Sequence, residues 1–479
     1  MRKTVGIIGG GPAGLTAAYV LSTPGSQFKP IVFEASGTVG GIARTENYKG
    51  YRFDIGGHRF FTRIPEVQAL WREICGDDLV RRRRLSRIYY GGKYYLYPLK
   101  AFNALSTMGP VEAVRIFLSY IKWQFWPHKA EDNLEQWVIN RFGGRLYHYF
   151  FRTYTEKVWG IPGTQITSDW AAQRIKNLSL GKAIWNAISG ANDTTSLIEE
   201  FDYPRLGPGM MWEKCRDLIH ERGGEVRLNC GVQRIIRTGN HIEAIVIGGR
   251  DGAARPFRVT ANEFISSMAL ADLIACIDPA PPQEVVHAAR QLKYRDFLIV
   301  TLILDHSDPF PDNWIYIHDP EVKVGRIQNF RAWSPDMVPD PRHASVGLEY
   351  FCHAGDGLWS LSNDQLIDLA STELDRLGLA PKASVMDGTV IRQPKAYPVY
   401  DENYCRVLKV IQDWLNGLEN FQTVGRNGLH RYNNQDHSML TAMLAVQNIG
   451  GRRHNLWDVN VERSYHEQFT LNVQLQAAE

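Results

Sequence analysis

The run VGIIGGGPAGLTAAYVL, which begins at Val5, constrains the fold more than any other part of the chain. Gly9, Gly11 and Gly14 follow an apolar strand and open a helix. The first glycine permits a tight turn, the second lets backbone approach a pyrophosphate, and the third lets the helix pack on the sheet. The helix N-terminus then faces negative phosphate. Glu34 ends the next strand, IVFEA, twenty residues after Gly14, where a carboxylate can hold both ribose hydroxyls of an adenosine. Strand, glycines, helix, strand and acid in this order predict a dinucleotide-binding βαβ unit. NAD and FAD both satisfy that pattern.

Two motifs further along the chain separate these cofactors. Gly40-Gly41, six residues past Glu34, is a second glycine turn that brings backbone toward the cofactor. Next comes Tyr51-Arg52-Phe53-Asp54-Ile55-Gly56-Gly57-His58. This layout resembles the FAD-binding half of the glutathione-reductase-like flavoproteins, which include amine oxidases, protoporphyrinogen oxidases and nucleotide-sugar mutases. The resemblance implies non-covalent FAD, with Gly56, Gly57 and His58 along the isoalloxazine. It extends the cofactor set to Pro12, Ala13, Ala35, Arg426, Asp436 and Ser438. Without it, His58 reads as a turn histidine bonded to backbone. A second fingerprint is absent, since Gly248-Gly249 follows a strand but lacks the spacing. A nicotinamide, NAD(P)H, serving as reductant would therefore bind transiently at the flavin face.

The chain has 479 residues, enough for two or three domains. At 44% apolar and 22% charged, it can bury a sizeable core. The formal net charge of +3 does not point to nucleic acid. Arg81-Arg82-Arg83-Arg84 reads as a solvated turn before a strand. No two of the six cysteines stand in a C-x-x-C spacing, so no zinc or dithiol site is expected. No signal peptide is expected before the opening strand, and a cytoplasmic setting with reduced thiols is the expectation. No run approaches the ~20 apolar residues of a membrane span. The nearest candidate, Val114 to Trp126, reads as a buried helix, with a helix lying on a membrane surface as the alternative.

Periodicity organises the remainder. Residues 85–98 predict a hairpin around Gly91-Gly92. From about 100 to 195 the pattern is helical, with a capped start at Asn133. Short strands fill 224–260, LIVTLIL at 298–304 is a buried strand, and further strands are expected near 314–317, 326–330 and 345–352. Helices are expected near 364–378 and 403–416, and the last 55 residues return to strand, glycine turn and helix. The fold class is therefore α/β: a Rossmann-like FAD-binding domain with an inserted helical domain and an inserted antiparallel β-sheet domain. The expected boundaries are 1–99, 199–268 and 401–479 for the FAD-binding domain, 100–198 for the helical domain and 269–400 for the sheet domain.

The segment NLEQWVINRFGGRLYHYFFRTYTEKVWGIP, residues 133–162, resembles the helical domain of UDP-galactopyranose mutases, most specifically at Tyr154-Thr-Glu-Lys-Val-Trp159-Gly160. Arg174 in WAAQRIKN, Arg326 in VGRIQNF, Tyr397 in AYPVYDE and Tyr432 in RNGLHRYNNQDHS come after it in family order. The resemblance implies an isomerase that interconverts ring forms of a nucleotide-linked sugar, in polysaccharide biosynthesis, with reduced flavin N5 as nucleophile. Arg174 and Arg326 would clamp the diphosphate, Tyr397 and Tyr432 would donate to it, Tyr154 would stack on the base, and Trp159 and Tyr316 would border the sugar. His58 would serve catalysis at the flavin. Singly, these arginines read as surface residues and these aromatics as core. Two other readings stand beside this one. One is an amine-oxidase- or protoporphyrinogen-oxidase-like oxidoreductase, and the other is a flavin-holding protein without turnover. Sequence leaves the sugar, the base, the reductant and the oligomeric state open.

Overall fold

The computed structural model describes residues 2–97, 101–168, 200–249 and 255–460. Five strands form a parallel sheet in the order Phe421–Thr423, Glu263–Ser266, Lys3–Ile8, Phe28–Phe33 and Glu225–Arg227. Four remote stretches of chain thus meet in one sheet. Its central strand is apolar and buried from Val5 to Ile8, as a parallel strand covered on both faces must be. The helix Pro12–Leu21 packs between the helices Pro208–Glu221 and Gln435–Ile449. Leu15, Trp212 and Met439 fill that layer, each fully buried.

A seven-stranded mixed sheet runs in the order Val385–Pro398, Tyr294–Leu304, Ala344–Cys352, Arg326–Asn329, Trp314–Ile317, Ser86–Tyr90 and Lys93–Leu96. The hairpin around Gly91-Gly92 is present, and its first strand lies parallel on Trp314–Ile317. It therefore extends a sheet made mostly from residues 294–398, although it falls within segment 1–99. A four-stranded sheet joins Phe257–Val259, His241–Gly249, Cys230–Thr238 and Ile277–Asp278.

The helical region begins with Ala101–Met108, Pro110–Phe125 and Leu134–Phe142. The cap at Asn133 forms, its side chain accepting from the Gln136 N–H at 3.0 Å. A π-helical turn, Tyr147–Arg152, then leads into Thr153–Trp159. Among the described residues, no helix is long and apolar enough to cross a membrane.

Two sequence expectations are corrected. Arg81, Arg82 and Arg83 form the end of the strand Leu79–Arg83, paired with Glu200–Pro204, and not a solvated turn. Arg81 is held by Asp202 at 3.0 Å, and Arg82 donates to the Trp333 carbonyl at 2.9 Å. The partner strand lies some 120 positions away, so local pattern could not reveal it. The second correction concerns the helix Pro110–Phe125, of which only Ile116 is buried. Apolar content suggested a core helix, but no described element covers its other face.

Candidate active site

One cavity of about 1180 Å³ crosses the interface between the parallel sheet and the mixed sheet. Its first end is made by backbone. The strand Lys3–Ile8 leads through Gly9 into the helix that starts at Pro12. A Cβ on Gly14 would lie 1.9 Å from the Gly9 carbonyl oxygen, so only glycine lets the helix sit this close. Gly11 and Gly41 face each other, a Cβ on Gly41 falling 3.2 Å from Gly11 Cα. The Gly40 N–H donates to the Gly10 carbonyl at 2.8 Å and locks the two glycine turns together. Glu34 stands at the tip of the neighbouring strand and lines the cavity. Its carboxylate accepts from the Gly10 N–H at 2.6 Å and from the Ser36 N–H and hydroxyl at 2.8 Å each.

Of the expected cofactor residues, Gly9, Gly11, Pro12, Ala13, Glu34, Ala35, Gly41, Gly56, Gly57, His58, Arg426, Asp436 and Ser438 line this cavity. Gly14 and Gly40 stand behind the lining, where they fix the turns. The last segment of chain contributes through Gly425, whose Cβ position is 3.0 Å from Ala13 Cβ, and through the first turn of Gln435–Ile449. A helix N-terminus, a carboxylate at the next strand tip and two facing glycine turns fit a dinucleotide's pyrophosphate and adenosine ribose.

The second end is made by side chains. Arg326 opens the strand Arg326–Asn329, and its Nε and Nη2 donate to Glu349 at 2.7 and 2.6 Å. Gln328 donates to the other Glu349 oxygen at 2.5 Å. Glu349 is fully buried. Burial works against the charge on Arg326, but the Glu349 carboxylate outweighs it and holds the guanidinium charged. Two of five guanidinium N–H donors are used in this pairing.

Two aromatic groups flank Arg326. In one, Tyr397 and Tyr432 stack at 5.4 Å, Trp159 meets both edge-on, and Arg426 lies over the Tyr432 ring at 4.9 Å. In the other, Tyr154 stacks on His318 at 4.5 Å and meets Tyr316 edge-on at 5.5 Å. Burial pushes the Tyr154 hydroxyl well above its ordinary range, so it stays protonated as a donor. The helix carrying Tyr154 and Trp159 is fastened by charge. Lys157 donates to the carbonyls of Ile317, Asp319 and Val324 at 3.3, 2.6 and 3.1 Å. Its end is closed by Gly160, whose Cβ would lie 2.6 Å from the Arg295 guanidinium. The preceding π-helical turn shifts the helix register by a residue and brings Phe150 and Phe151 to the cavity as well.

The two ends meet at Gly56-Gly57-His58. Arg326 Nη2 is 3.6 Å from where a Gly56 Cβ would stand. His58 Nε2 bonds the Ile55 carbonyl at 2.9 Å, and burial, with Arg426 and Arg326 nearby, pushes its pKa down to about 4. The imidazole is therefore neutral at physiological pH.

Thus Arg326, His58, Tyr154, Trp159, Tyr316, Tyr397 and Tyr432 all line one cavity. Arg174 lies outside the described residues. Sequence reasoning missed Val232 and Gln233 near the Glu34 end, Arg84, Tyr97, Trp314 and His318 at the aromatic end, and Glu349 behind Arg326. One signal for the first group existed in retrospect, since Gly231 and Gly248 are directly paired across adjacent strands. The others depend on strand pairing that no local motif encodes.

A protein-family model described as flavin containing amine oxidoreductase matches residues 12–392, which carry most of this geometry. The chain belongs to that family and binds FAD. Coproporphyrinogen III oxidase of Mycobacterium leprae (strain TN) is 30% identical over 148 residues, covering 29% of this chain and 33% of that protein. That match thus spans about a third of the curated relative's length. Among solved structures, a reduced UDP-galactopyranose mutase superposes with a TM-score of 0.81 at 19% identity, covering 97% of this chain and 100% of the other. A putrescine oxidase bound to putrescine gives 0.61 at 16% identity, covering 94% and 100%. These structural likenesses show a shared fold.

Proposed function

We propose that the enzyme is a flavin-dependent isomerase that interconverts ring forms of a nucleotide-linked sugar. One observation carries this reading. Arg326 lies at the edge of the Gly56-Gly57 turn, held by a buried carboxylate and ringed by the hydroxyl-bearing aromatics Tyr154, Tyr316 and Tyr397. A guanidinium among phenol donors suits a leaving diphosphate, whose charge grows as the glycosidic bond breaks. Bound in its reduced form, FAD would supply the nucleophile for the anomeric carbon. The chain's own groups do the remaining work. Arg326, with Arg174 as its expected second arm, stabilises the diphosphate. Tyr397 and Tyr432 donate O–H to its oxygens. Trp159 closes the sugar pocket and excludes water. The neutral His58, held by the Ile55 carbonyl, would border the flavin without adding charge. Tyr154 is already covered on one ring face by His318, so a nucleobase would stack on its opposite face.

A second reading is an oxidoreductase that removes hydride from an amine or a porphyrinogen. The parallel Tyr397–Tyr432 pair beside Trp159 favours it, because such an aromatic wall also suits an apolar substrate. The partial likeness to coproporphyrinogen III oxidase points the same way. Anaerobic incubation with a panel of nucleotide sugars, with and without dithionite, separates the two. Ring isomerisation only after reduction, with many turnovers per reducing equivalent, supports the isomerase. Bleaching of oxidised flavin by a porphyrinogen or amine, with stoichiometric peroxide in air, would overturn it.

A further inference from the structure

Ten large apolar side chains are exposed among the described residues, and seven of them belong to the helix Pro110–Phe125 and the adjoining Trp126. At about 100° per residue, Phe117, Ile121, Val114, Phe125, Leu118 and Val111 fall on one side of the helix, within an arc of about 120°. The exposure is large: 61% for Leu118, 72% for Phe125 and 70% for Trp126. The opposite side is fully committed. Ile116 is buried, and Tyr120 and Trp123 pack against the turn at Gly143-Gly144, where a Cβ on Gly143 would lie 2.8 Å from the Tyr120 backbone nitrogen. The helix therefore cannot roll to hide its apolar stripe.

Charge borders the stripe on one side only. Arg115 and Lys122 occupy the adjacent angular positions, both exposed, and exposed Lys129 comes after the helix. Glu112, the helix's one acid, lies between Arg145, which binds it through Nη2 at 2.8 Å, and Arg115, whose Nη1 is 3.7 Å from it. No carboxylate stands within the stripe. We infer that this face docks on an anionic lipid surface. A helix of sixteen residues is about 24 Å long, shorter than the ~30 Å hydrocarbon core, so it lies parallel to the surface. Phenylalanine and tryptophan at one end, with long cationic side chains along one border, match the boundary between acyl chains and anionic headgroups. A second copy of the chain matches poorly. Two-fold pairing would press Arg115 and Lys122 against a stripe that offers no carboxylate.

The test uses FAD-loaded protein and co-sedimentation with phosphatidylcholine vesicles that contain or lack phosphatidylglycerol. Binding should rise several-fold with phosphatidylglycerol and fall as salt is added. Phe117→Ser with Phe125→Ser should abolish it, and Arg115→Glu with Lys122→Glu should remove the phosphatidylglycerol increment. Flavin absorbance per chain reports folding of each variant. If the phenylalanine variant loses flavin, the charge variant, which leaves the apolar stripe intact, decides the matter. No binding above background overturns the proposal, as does binding that both folded variants retain. Sedimentation velocity adds a third check. A dimer that the phenylalanine substitutions dissolve, without vesicle binding, assigns the face to a second copy and also overturns it.

Discussion

The two ends of the cavity are built on opposite principles. At the Glu34 end the chain offers backbone: facing glycines, a helix N-terminus and one carboxylate already held by Gly10 and Ser36. At the Arg326 end it offers side chains whose positions depend on other side chains, as Arg326 depends on Glu349 and Tyr154 on His318. The first end tolerates almost no added atom. The second tolerates changes of shape but not the loss of a partner. Substitutions at the first should therefore remove the cofactor, and substitutions at the second should spare the cofactor and impair turnover.

The largest expected effect tests the steric half of that contrast. Gly14→Val places a branched side chain against the Gly9 carbonyl, where even a Cβ is 1.9 Å away. Both partners are backbone of the parallel sheet and its helix, so nothing can yield cheaply. The cost should exceed about 4 kcal/mol, and purified protein should carry no flavin. Wild-type flavin absorbance per chain in this variant would break the comparison at its root.

Arg326→Ala tests the other half. It strands a fully buried carboxylate, which should cost about 3–5 kcal/mol in denaturant titration. Turnover should fall on the order of 10²–10³-fold, because the lost donors act on growing charge. Arg326→Ala combined with Glu349→Gln should recover most of the stability and none of the turnover, with flavin content unchanged throughout. Recovery of both together would show that Arg326 is structural.

The same contrast explains what could be read from sequence. The fingerprint from Val5 to Glu34 is contiguous, and each glycine's role follows from the chain immediately around it. The hairpin at Gly91-Gly92 and the cap at Asn133 are local in the same sense. Tyr154, Trp159, Tyr397 and Tyr432 were reachable only through a family resemblance, since an aromatic residue looks alike in a core and in a pocket. Glu349 could not be found, because its register opposite Arg326 is set by pairing between strands 23 positions apart. The arginine run and the helix Pro110–Phe125 were misread for a related reason. Composition reports what a segment can bury, not which element arrives to cover it.

Glu34→Ala should be milder than either change above. The carboxylate's loss removes charge-assisted hydrogen bonds to the ribose, about 1.5–3 kcal/mol of FAD affinity. It also releases the Gly10 N–H and the Ser36 turn. Isothermal titration of apoprotein with FAD measures the loss. An unchanged affinity would mean that backbone alone holds the adenosine end, which would sharpen the contrast further.

The least localised effect concerns protons, and it spans both ends. His58 lies where the cavity's halves meet, and His318 backs the Tyr154 ring. Burial pushes their pKa values down from 6.5 to about 4 and about 3. Both stay neutral in the fold while the unfolded chain takes up a proton near 6.5, so below that pH the unfolded state binds more protons. Stability therefore rises with pH across this window and is lost as pH falls from 6.5 toward 4, by up to about 1.4 kcal/mol per pH unit for each histidine. Asp54 opposes this trend. Burial raises its carboxyl to about 7, so the fold loses stability as pH rises from about 4 to 7. His318→Gln should flatten the acid limb of the denaturation midpoint against pH while leaving flavin content unchanged, because His318 touches only the aromatic end. His58→Gln should flatten the same limb and also shift the flavin absorbance, because His58 lines the junction. Identical behaviour of the two variants would show that proton uptake does not respect the division between the cavity's ends.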